Sequence, residues 1–399
     1  MAGAGGMIGG LLERMVKVGD LTVRLPGGRD CRAGDGGGPP VVIRLTRAGL
    51  RRLVANPSLA LGEVYMDEDL VFEQGTISDL LDIVGKSGAR GPKGRGSWAK
   101  RTRKAIRRRL QQANNRVASR RNVAHHYDLS NDFYRRWLDE DMQYSCAYFA
   151  RPDMTLEEAQ VAKKRHLAAK LRIESGQRVL DIGSGWGGLA MTLARDYGAD
   201  VTGVTLSTEQ ISLARERVAA AGLADRVRFE LRDYRDVAGP FDRVISVGML
   251  EHVGAPNLRK YFETVKRQLA DDGVAVIHSI GRMTPPSLTN AFTQKYIFPG
   301  GYIPAMSEVV TAIEDAGLWI TDVEILRAHY AETAKAWLER FRADPEIPTL
   351  YDGRFRRMWE FYLAGVELGF RYGTHMVMQF QLAKRLGSVP VTRDYLAGS

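Results

Sequence analysis

From Arg178 onward, short apolar runs alternate with helical stretches of ordinary length. That alternation predicts an α/β fold, a Rossmann-like parallel sheet with helices on both faces. The glycine-rich turn "VLDIGSGWGG", which leaves the first of these runs and enters a helical stretch, points the same way. Shorter strand and helix signals before it predict a smaller α+β domain at the N-terminus, over residues 1–85.

In that N-terminal part, "LTVRLP" and "VVIRLT" alternate apolar with polar residues as half-buried strands do, while "RAGLRRLVANP" and "ISDLLDIVGK" carry helical spacing. The stretch "GGRDCRAGDGGGPP" between them reads as a loop. Residues 86–121 read as a basic linker or helix, with Trp98, Ile106, Leu110, Ala113 and Val117 near one helical face. Residues 122–399 then form the main domain. Its strands are expected at "RVLDI", "DVTGVT", "VRFEL", "DRVISV" and "VAVIHSI". Between them lie the helices "LAMTLARDYG", "TEQISLARERVAAAG", with Ser207 as N-cap and Gln210 three residues on, and "NLRKYFETVKRQLA". After the fifth strand, "TPPSLTNAFTQKYIFPGGYIP" exceeds a simple connection and reads as a lid or a substrate wall.

The 399 residues are 44% hydrophobic yet contain no apolar run long enough to span a bilayer. The first twenty residues meet Glu13 and Arg14 too soon for a secretory signal, so a cytoplasmic location is expected. Only two cysteines occur, Cys31 and Cys146, which rules out a thiol-based zinc cage and gives no reason to expect a disulfide. The net charge of +10 is local: 14 Lys and Arg without an acidic residue lie between Lys86 and Arg121, leaving −4 for the rest. Such a run suits an anionic phospholipid surface.

Gly183, Gly185 and Gly188 satisfy the dinucleotide pattern G-x-G-x-x-G. A nicotinamide cofactor would also want an acidic residue at the end of the second strand, and there the chain runs into Thr205, Leu206 and Ser207. S-adenosylmethionine (SAM) fits better, because it has no pyrophosphate and its methionine end needs close backbone approach at Gly183 and Gly185. Asp181 ends the first strand; Asp233 and Tyr234 follow the third, where an acceptor and a ring suit an adenine. The fold expected is therefore the class I SAM-dependent methyltransferase sheet.

A basic methyltransferase invites a nucleic-acid reading, and the motifs speak against it. Neither cysteine follows a proline as cytosine-C5 chemistry expects, and the fourth strand leads into Gly248, Met249, Leu250, Glu251 and His252 rather than an Asn/Asp-Pro-Pro-aromatic turn. The segments "HHYDLSNDFYRRWLDEDMQYSCAYF", "VLDIGSGWGGLA", "GVTLSTEQ", "VGMLEHVG", "KYIFPGGYIP" and "HYAETAKAWLERF" occur in the order typical of the cyclopropane-fatty-acyl-phospholipid synthase family, which this chain closely resembles from about Asn122 to its C-terminus. Residues 1–120 resemble that family's lipid-binding domain only loosely. Ser279 and Ser184 depart from the threonine and cysteine usual at their positions.

The resemblance implies transfer of the SAM methyl to a cis double bond of an acyl chain in membrane phospholipid, giving a carbocation that closes to cyclopropane. It implies a bound bicarbonate as base, held by Cys146, Glu251, His278, the backbone at Ile280, and Tyr330, with no metal. By matching position, Tyr144, Ser145, Gly183, Gly185, Thr205, Gln210, Asp233 and Tyr234 would contact SAM. Cys146 would line the anion pocket rather than attack, since direct transfer to an alkene leaves no covalent step for it and no adjacent His–Asx pair makes a thiolate. Implied partners are unsaturated phospholipid at the inner membrane face, bound peripherally, and a second copy of the chain in a homodimer. A methylene- or methyl-branched product stays open beside cyclopropane, as does a non-catalytic lipid-binding role.

Overall fold

The computed structural model describes residues 9–10, 12–88 and 129–396. The basic stretch from residue 89 on, with its apolar positions, and the neighbouring His125 and His126 lie outside the described residues. The chain divides into two units, one taking the described part of Met1–Lys93 with Asn290–Ile297 and Ala331–Thr374, the other holding the remainder.

The first unit is built on a four-stranded sheet in the order β2-β1-β3-β4. Its strands are β1 (Asp20–Leu25), β2 (Arg29–Ala33), β3 (Pro40–Leu45) and β4 (Leu70–Gln74). Period-two alternation sets their faces: Leu21, Val23 and Leu25 on β1 and Val41, Ile43 and Leu45 on β3 are all buried. The stretch expected as a loop contains β2, because Cys31 and Ala33 alternate inward while the glycines only supply the flanking turns. Two later segments complete the unit. Lys295 and Tyr296 both donate to Glu63, at 2.6 and 2.8 Å, and Tyr372 donates to Asp82 at 2.7 Å. Part of the insertion after the fifth large-sheet strand thus belongs to this unit rather than to the sheet that precedes it.

The second unit is a seven-stranded sheet in the order β10-β11-β9-β8-β5-β6-β7. Here β5 (Arg178–Ile182), β6 (Asp200–Thr205) and β7 (Val227–Leu231) coincide with the expected runs; β8 (Phe241–Val247) and β9 (Leu269–Arg282) begin earlier, and β9 also runs on further. These five are parallel. The sheet is extended by two strands that the alternation did not reveal, β10 (Trp319–Ile325) and β11 (His375–Ala383), and β11 runs antiparallel to both its neighbours.

Buried residues alternate between the faces along β5, β6, β8 and β9. Val179, Val201, Ile245 and Val276 pack with Leu167, Leu189 and Ile211, whereas Leu180, Val204, Val244 and Ile277 pack with Tyr261, Phe262 and Ile313. Helices therefore cover both faces, as a buried parallel sheet requires. Each such side chain taken fully from water contributes about 1.5–3 kcal/mol.

Two helix starts bear on the site. Ser207 caps the helix Thr208–Ala220 by accepting from the Gln210 N–H at 3.2 Å. Thr155 and Glu158 form a reciprocal capping box at the start of Leu156–Leu171. The interior of that second helix is unusual: Gln160, Lys163, Lys164, His166 and Lys170 are all buried on it. No helix among the described residues is long and apolar enough to cross a membrane.

Candidate active site

The strand order reverses between β5 and β8, which places a crevice beyond their carboxyl ends. A cleft occupies that position, where small-molecule sites of such sheets lie. It is lined from β5 by Asp181, Gly183 and Gly185, from β6 by Thr205 and Gln210, from β7 by Arg232 and Tyr234, and from β8 by Gly248, Met249 and His252. A segment from outside the sheet, Met142–Ser145, closes the remaining side.

Gly183 and Gly185 are both left-handed, with φ of 83° and 54°. At Gly185 a Cβ would meet nothing within 4 Å, so packing does not demand a glycine there and only the conformation and the open space do. Gly187 differs: a Cβ on it would come within 2.6 Å of the Phe229 ring. Behind the turn, the Gly183 and Ser184 N–H groups both donate to the Val204 carbonyl, at 2.9 and 3.1 Å. The Thr205 hydroxyl donates to Gln210 Oε1 at 3.2 Å, which holds two of the expected cofactor contacts together.

Tyr144 stands against Tyr134 and Trp137, with ring centroids 5.6 and 5.4 Å away, and Tyr134 in turn meets Trp186 at 5.1 Å. Trp186 lines the cleft and donates its indole N–H to Asn131 Oδ1 at 2.7 Å. Tyr234 is buried, and burial pushes its hydroxyl up to about 12. Asp233 is not among the lining residues. Its carboxylate accepts from Arg235 Nε at 2.8 Å and Nη2 at 2.5 Å.

Asp181 is the acidic floor of the cleft. Burial raises its carboxyl to about 7, opposed by the nearby Lys163 charge, and its Oδ2 has no hydrogen-bond partner.

Glu251 lies on a 3₁₀ turn, Leu250–His252, directly after β8. Its Oε1 accepts from the Ile280 N–H of β9 at 2.6 Å, while Oε2 is shut from solvent without a hydrogen-bond partner. Burial therefore raises the carboxyl to about 7, although the Ile280 N–H, its own backbone N–H and the Ser279 hydroxyl pull the other way. His278, two residues back on the same face of β9, is buried; burial lowers it to about 3, which leaves the ring neutral. Gln379 Nε2 lies 3.1 Å from its Nδ1, and with that amide nitrogen as donor the ring proton sits on Nε2. Cys146 is wholly buried and its thiol donates to the Ala147 carbonyl at 3.3 Å. Tyr330 is buried near the start of the helix Arg327–Ala343. Glu251 and Ile280 are thus in direct contact, and the Ile280 N–H is engaged by the carboxylate itself.

Sequence reasoning gave no role to Lys163, Gln143, Trp186, Arg232, Met249 or His252. Trp186 sits inside the glycine turn and His252 beside Glu251, so proximity to a named motif was their available signal. Burial lowers His252 to about 4, and its ring lies 5.8 Å from Phe298.

A family model described as mycolic acid cyclopropane synthetase matches residues 114–380. The chain is 43% identical over 283 residues to the tuberculostearic acid methyltransferase UfaA1 of Mycobacterium tuberculosis, a match covering 67% of this chain and 66% of that protein. It is 44% identical over 247 residues to the cyclopropane-fatty-acyl-phospholipid synthase of Escherichia coli, covering 62% of this chain and 63% of that one. The chain spans just under two thirds of the length of either curated relative. Among solved structures, mycolic acid cyclopropane synthase CmaA1 complexed with SAH and CTAB is 35% identical, with a TM-score of 0.63 over 66% of this chain and 97% of that one. The family match takes in the glycine turn, the cleft and the Glu251–Ile280 contact, and on it this chain belongs to the mycolic acid cyclopropane synthetase family.

Proposed function

We propose that the protein is a SAM-dependent methyltransferase that modifies unsaturated acyl chains of membrane phospholipid, converting a cis double bond to a cyclopropane. The observation that carries this reading is the Glu251–Ile280 contact: a carboxyl shut from water, one oxygen anchored at 2.6 Å and the other unpartnered. A carboxyl poised near 7 can share a proton with a small anion at neutral pH, as base chemistry beside a developing cation needs.

The cleft suits the cofactor on its own terms. Gly185 opens space where a side chain would intrude, Asp181 offers an unpartnered oxygen to an ammonium group, and Tyr234 and Tyr144 present rings. Bound SAM supplies a methyl group made electrophilic by its sulfonium. SAH, the demethylated form of that molecule, is the ligand in the CmaA1 complex. An alkene is a weak nucleophile, so the site has to exclude water and stabilise positive charge, and the ring cluster around Tyr144 fits that demand.

A bound bicarbonate would supply the base that removes a proton from the newly added methyl. Glu251 Oε2 and His278 Nε2–H are the groups suited to hold it, one by a shared proton and one by donation. Cys146 and Tyr330 are assigned to the same pocket by resemblance. Ile280 supports it indirectly, through Glu251. The cationic stretch between Lys86 and Arg121 would dock the enzyme peripherally on anionic lipid at the cytoplasmic face.

A second reading is favoured by the relative named tuberculostearic acid methyltransferase, which is 43% identical: the same methyl transfer ending in a branched rather than a ring product. Incubation with methyl-labelled SAM and vesicles of unsaturated phospholipid, followed by mass and NMR analysis of the released fatty acids, separates the readings. Ring-proton signals support cyclopropane and a branched chain supports the second reading. Absence of label from lipid refutes both. Decarbonated buffer should slow the reaction and added bicarbonate restore it; an unchanged rate removes bicarbonate from the proposal.

A further inference from the structure

Lys163 is fully buried in the helix Leu156–Leu171, eighteen residues beyond Ser145 in sequence. Its Nζ donates to Ser145 Oγ at 2.9 Å and to Gln143 Oε1 at 2.6 Å. An ammonium group has donors only, so the Ser145 oxygen has to accept here, and the single hydroxyl proton of Ser145 is left for another acceptor. Ser145 lines the cleft. Its carbonyl and that of Gln143 both accept from Gln160 Nε2, at 3.0 and 3.2 Å, which fixes the backbone behind the hydroxyl.

The surrounding charges extend this arrangement. Gln143, with Oε1 committed to Lys163, turns its amide donor to Asp141 Oδ2 at 3.1 Å. Asp141 is in turn bound by Lys164 at 2.5 Å and by Arg217. The groups facing Lys163 are Asp139, Asp141 and Cys146 from the stretch flanking the cleft segment, Lys164 on its own helix, and Asp181 from β5, with His278 of β9 also within its field. The cleft segment Met142–Ser145 is therefore backed by buried cations, and its hydroxyl is polarised by one of them.

We infer that Lys163 is a positioning residue that makes the Ser145 hydroxyl a donor to the carboxylate of the bound cofactor. This rests on the SAM assignment above. SAM has one anionic group, and a buried ammonium behind a donor pointing into the cleft favours that group at this end. Loss of the Lys163 proton would reverse the arrangement, because a neutral amine can accept from Ser145 and draw its hydroxyl out of the cleft. Burial lowers Lys163 to about 8, which brings that change within reach of mild alkali. Ionisation of Asp181 near 7 acts in the opposite direction, strengthening the hold on a cationic amine as pH rises.

The test is calorimetric titration of SAH into wild type, Lys163→Met, Ser145→Ala and the double variant at pH 7 and pH 9. At pH 7 each single variant should weaken binding about 10-fold, the scale of a hydrogen bond to a charged group, and the double variant no further. Wild type should lose a similar factor between pH 7 and pH 9 beyond the loss seen for Ser145→Ala, the ligand's own amine titrating alike in all arms. Additive losses, or the same pH dependence in wild type and Ser145→Ala, would overturn the inference. Should Lys163→Met fail to fold by circular dichroism, the Ser145→Ala comparison decides alone. Wild type that fails to bind SAH overturns the SAM assignment and this inference with it, and is read directly from the first titration.

Discussion

Glu251→Gln should stabilise the protein while disabling it. The native carboxyl titrates near 7 against an ordinary 4.5, because burial disfavours the charged form more than the Ile280 N–H supports it. Below pH 4.5 both native and unfolded chains carry the proton, and the group contributes no pH dependence. Between 4.5 and 7 the native state keeps a proton that the unfolded state has lost, so stability falls as pH rises through this window. At ~1.4 kcal/mol for each factor of ten, the penalty above pH 7 is about 3 kcal/mol. Glutamine retains an oxygen for the Ile280 N–H and never ionises, so it escapes this loss. Urea denaturation of both proteins at pH 4.5 and pH 8.5 should show near-equal stability at the lower pH and a gain of up to about 3 kcal/mol for Glu251→Gln at the higher. Other titrating groups, Asp181 included, act alike in both proteins and cancel in the difference. Turnover at pH 8 should meanwhile fall by ~100-fold or more, as expected on removing a proton-sharing group, and added bicarbonate should restore it in part. A variant no more stable than wild type at pH 8.5, or one whose difference does not change with pH, would refute the reasoning.

Cys146→Ser keeps a small donor that can reach the Ala147 carbonyl, now at 3.3 Å from the thiol, so turnover with labelled SAM should stay within ~10-fold of wild type. A folded, SAH-binding Cys146→Ser with no turnover would return the cysteine to the chemistry. Gly185→Ala and Gly187→Ala should part company. The first has open space for its methyl and should cost about 1–2 kcal/mol for the left-handed backbone alone, yet weaken SAH binding at least ~10-fold by entering the cleft. The second, facing Phe229 at 2.6 Å, should lower the melting temperature further than the first. Calorimetry and thermal melts check both, and unchanged SAH affinity in Gly185→Ala would remove the role given to that turn.

What the sequence made legible follows from where each signal is local. β5 and β6 are buried on both faces and bounded by turn residues, so they read as short apolar runs with sharp ends, while β7, at the sheet edge, reads by alternation, with Val227 and Phe229 inward and Arg228 outward. Gly185, Asp181 and Glu251 lie at the carboxyl ends of such strands, and topology alone sends those ends to the crevice. β11 was hidden for the converse reason. Its run includes Gln379 and Gln381, both fully buried, and they are tolerated only because Gln379 meets His278 and Gln381 donates to the Lys170 carbonyl, partners about a hundred and two hundred residues away. Asp233 shows a partner that spacing does not disclose: it follows β7 where an adenine acceptor is expected, and its carboxylate also accepts from Arg235 two residues on.

Lys163 is the sharpest case of this limit. Nothing in "VAKKRHLAAK" marks Lys163 as buried, and an unpaired buried ammonium would cost several kcal/mol. Burial becomes tolerable only when the segment ending at Ser145 folds back to bring acceptors from Gln143 and Ser145 and the charges of Asp139 and Asp141 around it. The same groups that make the burial possible line or support the cleft, so the condition for folding this helix and the condition for orienting the Ser145 hydroxyl are one arrangement. That coupling implies that Lys163→Met, which removes the need for those acceptors, should leave Gln143 and Ser145 without their fixed polarity even where the helix itself survives.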